Sequence, residues 1–560
     1  GLNIYNKDGK TAERLENGYR VMFYASKRMA YNKFLRFFQI AGMPVYPNDK
    51  DKDQKSSSKD FLAVSPIEQF MIQTGKRLFK GYDDYDELTR LEFDLETQGL
   101  EPKLHAIDQI GIRTNRGFEK ILTITGEGNE RRKNELIAIE EAIKIIADIK
   151  PDVITGHNSE NFDWNYLIVR CDVLGSSMQE ISSKYFKQAL YKKKRQTVLK
   201  LGGEIEYYYP TVLWGYNITD SLHAVRRAQA QDSNMKKADL KYVTKYSKLN
   251  KPNRVYVPGD QIKKVWAITD PVYAFNNTNG LWYRITDEKP LQEGYEVTTG
   301  KYIVERYLLD DLYETDKVEL RYNQSNFLLA KLLPTNFGKI CTMGTAGTWK
   351  MIMLAWSYEN DLAIPAFSTA KKFTGGLSRL LSVGYVDRIV KLDYNSLYPS
   401  IILTWDIASE LDISGVMLQL LAYILDQREK FKGLKKKAKK HAEKLKDQKD
   451  IFQGTDEELR ELIAEIQKWE SEESANDKKQ LPFKIFGNSF FGGFGAPDIF
   501  PWGDLICAEM TTCIGRQSLR LMIKWFSDRG YKPIVGDTDG FNFQMPSEEI
   551  LKTRVYIGKG

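Results

Sequence analysis

Apolar residues recur at two periods along this chain, and the switches between them outline its organisation. "LEFDLET", from Leu91, and "ILTITGE", from Ile121 to Glu127, read as strands, while "NELIAIEEAIKIIADIK" carries a helical period. "PDVITGHN" predicts a further strand and "DWNYLIVRCDVL" a helix, so a mixed α/β domain is expected over roughly 89–330. Its middle, from about 175 to 300, is rich in aromatics and gives no clear period. A strand, "GYVDRIVKLD" from Gly384 to Asp393, opens a second α/β region. Long helical patterns follow from about 413 to 475, then a separate helix from Leu481 to Phe491. The helix "GDLICAEMTTCIGRQSLRLMIKWFSDRG" leads into "YKPIVGDTDGFNFQM", which reads as strand, turn, strand. Residues 48–60 are polar and of low complexity, as an exposed loop would be.

Composition narrows the class. A chain of 560 residues has room for two to four domains. It contains no run of 18 apolar residues, so no membrane span is expected, and no leader segment is expected from its opening residues. The first residue is Gly and the last is Gly560, so both ends are expected to be cut or processed. Four cysteines without zinc-like spacing argue against a disulfide framework and for a reduced, cytoplasmic setting. Four histidines leave little room for a His-rich metal site. Charge is segregated. Arg428 to Asp450 holds eleven basic against four acidic residues, and Asp456 to Asp477 nine acidic against two basic. Two solvated helices of opposite sign lying against each other would explain this, and the basic one could also face a polyanion.

The candidate chemistry rests on carboxylates. In "KPIVGDTDGFNF", Asp537 and Asp539 are two apart, which on a strand means one face, and Gly536 and Gly540 permit a tight backbone. A lone Asp-Thr-Asp is usually a plain turn. "IVKLDYNSLYPSII" places Asp393 at the end of an apolar strand, where it is held rigidly and open to solvent. Joined in space to Asp539, it could hold two hard cations able to clamp a phosphoryl transfer. "DQREKFK" puts Arg428 and Lys432 on one helical face, and "KIFGNSFFGGFG" does the same for Lys484, Asn488, Phe491 and Gly492. Cations for a triphosphate, an amide, a ring and a gap suit a nucleotide. Earlier, "FDLET" sets Asp94 and Glu96 on one strand face, "GHNSENFDWNYL" sets Asp163 at a strand-to-helix junction, and "RYLLDDLYETD" sets Tyr307 and Asp311 four apart on a helix. Four carboxylates and a tyrosine could hold two metals and orient a water for phosphodiester hydrolysis.

The ordered set "DYNSLYPSII", "DQREKFK", "KIFGNSFFGG" and "VGDTDG" resembles the motifs of family B DNA polymerases, with tailed-phage replicative enzymes nearest in these motifs. The earlier set resembles the three motifs of the 3′–5′ proofreading exonuclease attached to that family. The resemblance implies an RNase H-like exonuclease domain, and a palm and helical fingers of a right-hand polymerase. It implies two Mg²⁺ per active site, with Mn²⁺ as a substitute. Asp393 and Asp539 would ligate one pair with Asp537 in support, and Asp94, Glu96, Asp163 and Asp311 the other, beside Tyr307. Asp310 adjoins Asp311, and the Y-x-x-x-D spacing favours Asp311. The backbone of Ser396, Leu397 and Tyr398 would cradle a dNTP triphosphate, with Tyr398 under the sugar, excluding a ribose 2′-hydroxyl. Arg428, Lys432 and Lys484 would hold the phosphates, Lys484 protonating the leaving pyrophosphate, and Asn488 and Gly492 would shape the pocket. Asp220, in "WGYNITDSLHAVRR", is read as structural. Three residues depart from the family pattern: Val535 stands for its usual Tyr, Gly540 for Ser, and Phe491 for Tyr.

The expected layout is an N-terminal domain over 1–88, the exonuclease over 89–330, a connection and first part of the palm over 331–412, fingers over 413–495 and an incomplete palm over 496–560. With 21 residues after Asp539, the thumb is expected to be absent, or supplied by a second polypeptide. Primer-template DNA and dNTPs are the partners implied, with a sliding clamp beyond them. Two other readings stay open: a nuclease whose polymerase half is inactive, and a non-catalytic half of a split replication complex.

Overall fold

The computed structural model describes residues 18–19, 64–201, 204–230, 232, 234–362 and 364–545. The loop expected at 48–60 and most of the expected N-terminal domain lie outside the described residues. The chain forms two units: Arg77–Gly344, and Gly1–Lys76 together with Thr345–Gly560.

In the unit Arg77–Gly344, strands β1 (Arg90–Thr97), β2 (Ile107–Thr114), β3 (Glu119–Thr123), β4 (Val153–Thr155) and β5 (Asn217–Ile218) form one sheet in the order β5-β4-β1-β2-β3. β1 runs parallel to β4 and antiparallel to β2. Strand alternation divides β1 between two environments. Leu91, Phe93 and Leu95 enter an apolar core with residues of helices α1 (Gly128–Ile149) and α2 (Asp163–Val173). The rings of Phe93 and Trp164 lie 4.5 Å apart there.

Arg90, Glu92, Asp94 and Glu96 alternate with these on the other face, which meets the long helix α3 (Gly300–Ala330). At one end Arg90 pairs with Asp316 at 2.6 Å, and Arg113 reaches Glu92 at 3.4 Å. The helix presses close: a Cβ on Gly111 of β2 would meet Leu308 and Leu312 at 2.9 Å. The region without a clear period resolves into short pieces. Thr197–Leu201 pairs antiparallel with Glu204–Tyr208, and three-residue strands at Tyr273–Phe275, Trp282–Arg284 and Glu296–Thr298 form a separate sheet beside a helix at Gly259–Trp266. Strands of three residues are too short to show alternation.

In the second unit, β6 (Ser378–Leu380), β7 (Ile389–Asp393), β8 (Lys532–Asp537) and β9 (Gly540–Gln544) form an antiparallel sheet in the order β6-β8-β9-β7. Helix α7 (Leu505–Ser527) covers it, burying Leu519 with Phe541 and Phe543. β7 begins at Ile389 rather than Gly384, because Arg388 takes a φ of 48°, which breaks an extended run. Between the strands lie α4 (Leu397–Thr404) and the antiparallel pair α5 (Val416–Asp450) and α6 (Asp456–Phe494).

The segregated charges meet across that pair: Lys435 reaches Asp477 at 2.8 Å and Lys446 reaches Glu470 at 2.5 Å. His441 stacks on Trp469, and the small Ala438 and Ala442 are buried. A capping box of Thr455 and Glu458 starts α6. The helix expected as a separate element from Leu481 is instead the continuation of α6, through Pro482. A proline inside a helix loses a hydrogen bond and crowds the preceding turn. Packing on both sides overrides that cost: Phe483 stacks on Phe431, and Phe486 and Phe490 pack edge-on against Trp349.

Candidate active sites

β7 and β9 pair so that Asp393 stands opposite Gly540, and Gly540 also faces Asp537 across the β8–β9 hairpin. The strand rule that would set Asp537 and Asp539 on one face does not apply, because β8 ends at Asp537 and Thr538 turns with φ 52°. The amide of Asp539 donates to the carbonyl of Asp537 at 2.7 Å, and that of Tyr394 to the carbonyl of Asp539 at 2.7 Å. This knits the hairpin tip to the end of β7. Partial burial, then the charges of Asp393 and Asp537, push the Asp539 carboxyl up. Lys391, on the same strand as Asp393, pairs with it at 3.1 Å.

The turn after Asp393 meets α5. Ser396 has φ 53° at the head of α4, and Arg428 contacts its hydroxyl. Lys432 donates to Asn395 at 3.0 Å. Both cations of "DQREKFK" thus converge on residues 395–396. The Nε of Arg428 is buried without a hydrogen-bond partner. Tyr398 packs against Phe491 of α6 with centroids 4.5 Å apart, and its hydroxyl would strike a Cβ on Gly376. Burial, then Asp539, raises the Tyr398 phenol. Leu397 is buried, Gly492 faces Thr345, and Lys484 is exposed on α6. Asn488 is a residue of α6 whose side chain lies outside what is described.

The second cluster sits where β1 meets α3. Asp94 and Asp163 act on each other electrostatically, and Asp94 also feels the charge of Asp311. Burial, then Asp311, pushes Asp94 up to about 7. Burial, then Asp94, raises both Glu96 and Asp163. Burial raises Asp311 as well, against the pull of Arg254 and Lys241. Tyr307, one turn before Asp311 on α3, opposes that rise. Asp310 is consumed elsewhere, by Lys251 at 2.9 Å and the amide of Val255 at 2.9 Å. Asp220 caps its helix and accepts from the amides of Asn158 and Glu160, holding the loop that leads to Asp163.

Four cations at these sites were not found from the sequence. Lys391 had a strand-end signal two residues from Asp393. Lys241, which contacts the Tyr307 hydroxyl, and Arg254, which contacts Asp311, come from the stretch without a period. Arg516 donates to the carbonyls of Thr374 and Gly375, bracing the backbone before Gly376.

Among the described residues, no three His, Cys, Asp or Glu side chains gather into a ready-made metal cage. The donor set nevertheless suits a hard cation. It is all oxygen, Asp163 Oδ1 is buried without a partner, and the carboxylates of each cluster raise one another. A divalent ion relieves that strain and takes few protein carboxylates.

Two family models match this chain: "DNA polymerase family B, exonuclease domain" over residues 69–198 and "DNA polymerase family B" over 336–555. DNA polymerase 1 of Pyrococcus abyssi is 24% identical over 547 residues, covering 89% of this chain and 61% of the relative. The DNA polymerase of Thermococcus gorgonarius is 22% identical over 532 residues, covering 88% and 58%. The chain thus spans about three-fifths of the length of these relatives. Among solved structures, the family B DNA polymerase from the hyperthermophilic archaeon Pyrobaculum calidifontis superposes with a TM-score of 0.54 at 17% identity, over 83% of this chain and 54% of that one. These relatives are archaeal, so the tailed-phage affinity rests on the motifs alone. With both family models matched in order along the sequence, the chain belongs to the family B DNA polymerases.

Proposed function

We propose that this chain is a DNA-dependent DNA polymerase that adds dNTPs to a primer 3′ end, with a 3′–5′ proofreading exonuclease. The observation that carries the reading is the β7–β9 register, which sets the end of β7 with Asp393 against the hairpin tip that carries Asp539 and so supports a joint role for the two. Two Mg²⁺ ions, or Mn²⁺ in their place, would be held there by Asp393 and Asp539 with Asp537 in support. When bound they supply charge neutralisation for phosphoryl transfer.

The chain's own residues bind and orient. Backbone amides at the head of α4, over Ser396, Leu397 and Tyr398, receive the triphosphate at a helix N-terminus. Arg428, with its unpartnered Nε, and Lys432 grip the phosphates from α5. Lys484 donates a proton to the departing pyrophosphate, and Asn488 and Gly492 border the pocket. The Tyr398 ring, backed by Phe491, lies under the sugar and excludes a 2′-hydroxyl. In the exonuclease, Asp94, Glu96, Asp163 and Asp311 would hold the second pair of ions, and Tyr307 would orient the attacking water. DNA and dNTPs are met in the cytoplasm.

The test is a labelled primer-template with Mg²⁺. Lengthening with dNTPs and shortening without them are expected, and both should stop on chelation. Shortening without any lengthening would replace the reading with that of a nuclease, and neither activity would leave a non-catalytic subunit.

A further inference from the structure

Beside the nuclease carboxylates, one buried cation has a set of contacts that fold stability alone does not call for. Arg254 is 1% exposed and opens the segment that carries the separate three-stranded sheet. Its guanidinium contacts Asp311 and lies 3.1 Å from Glu314. It also donates to the carbonyl of Tyr307 at 3.3 Å. The guanidinium carbon lies 5.1 Å from the ring centroids of both Tyr307 and Tyr256. Lys241 and Lys245, four apart on one helix, sit 4.4 Å from the Tyr307 and Tyr256 rings. The neighbouring Asp310 is held by Lys251 and the amide of Val255 and lies 3.9 Å from the guanidinium, whereas Arg254 Nη2 contacts Asp311 and Nη1 the carbonyls of Val255 and Tyr307.

We propose that Arg254 is a positioning residue for the exonuclease: its planar fork and its place against two tyrosine rings fix Asp311 and Tyr307 relative to each other. The inference rests on the exonuclease reading above. A fork that holds a carboxylate while stacking on rings cannot be replaced by a point charge, since lysine lacks both the planarity and the second donor direction. A plain buried counter-ion would tolerate that exchange better. Misplacing a reacting group by about 1 Å costs on the order of 100-fold in rate. Arg254→Lys should therefore lower kcat by about 10- to 100-fold, with KM for single-stranded DNA unchanged.

The experiment digests a 3′-labelled single-stranded oligonucleotide with the full chain and Mg²⁺. Wild type, Arg254→Lys, Tyr256→Leu and the exposed Lys264→Ala are compared, each with its melting temperature. Lower kcat at unchanged KM and unchanged melting for Arg254→Lys, a smaller loss for Tyr256→Leu, and none for Lys264→Ala are expected. Wild-type rates for Arg254→Lys would overturn the inference alone. So would losses in both the Lys and the Leu variant that track a lowered melting temperature, which would assign the ladder to the fold. A wild-type chain that digests nothing would remove the exonuclease reading, and this inference with it.

Discussion

Gly540 shows how much one missing side chain decides. A Cβ there would stand 1.9 Å from Asp393 Oδ1 and 2.7 Å from the carbonyl of Leu392. In this structure any side chain at that position would crowd the carboxylate it faces. Gly540→Ala should cut primer extension by about 100-fold, the scale for a misplaced reacting group, and leave single-strand hydrolysis unchanged. Extension rates within threefold of wild type would show that Asp393 has room to move. Most carboxylates here were legible because spacing alone orients them: Asp94 and Glu96 share a strand face, and Tyr307 and Asp311 a helix face. Asp537 and Asp539 were misjudged by the same rule, since a left-handed Thr538 turns the chain between them. Lys241 and Arg254 were not legible at all. Single cations in a stretch without a period carry no signal of which carboxylate they reach.

Elements translate these side chains into positions. β1 and α2 each set a carboxylate beside a large ring, Asp94 next to Phe93 and Asp163 next to Trp164, and the rings pack at 4.5 Å. The apolar contact therefore anchors the acidic face behind it. Trp164→Ala should destabilise the fold by about 3–5 kcal/mol, read by denaturant melts, and should slow hydrolysis more than extension. An equal loss of both activities would contradict this placement.

The α5–α6 pair tests the opposite regime. Its Lys446–Glu470 bridge is half exposed, whereas Ala438 is buried at the helix contact. Lys446→Ala should leave the denaturation midpoint within experimental error of wild type, whereas Ala438→Leu should cost about 1–3 kcal/mol through overpacking. A larger effect of the lysine would mean that the charges, not the packing, hold the pair. Charge segregation made this pairing readable in advance. Pro482 hid its length, because local propensity argued for a break that packing around Phe483 and Phe486 overrides.

At the scale of the molecule, each proposed activity has its own sheet, its own core and its own carboxylates. Leu91, Phe93 and Trp164 belong to one core, and Leu519, Phe541 and Phe543 to the other. The two α/β regions were readable because each motif set falls wholly within one of them. The cut points at 76/77 and 344/345 were not, since no composition shift marks them. The central claim is that the two metal-holding clusters work independently. The measurement that tests it most directly follows a labelled primer-template with Mg²⁺ and all four dNTPs, using wild type, Asp539→Ala and Asp94→Ala. The account predicts that Asp539→Ala abolishes extension and keeps hydrolysis, and that Asp94→Ala does the reverse. Loss of both activities in either variant would contradict it.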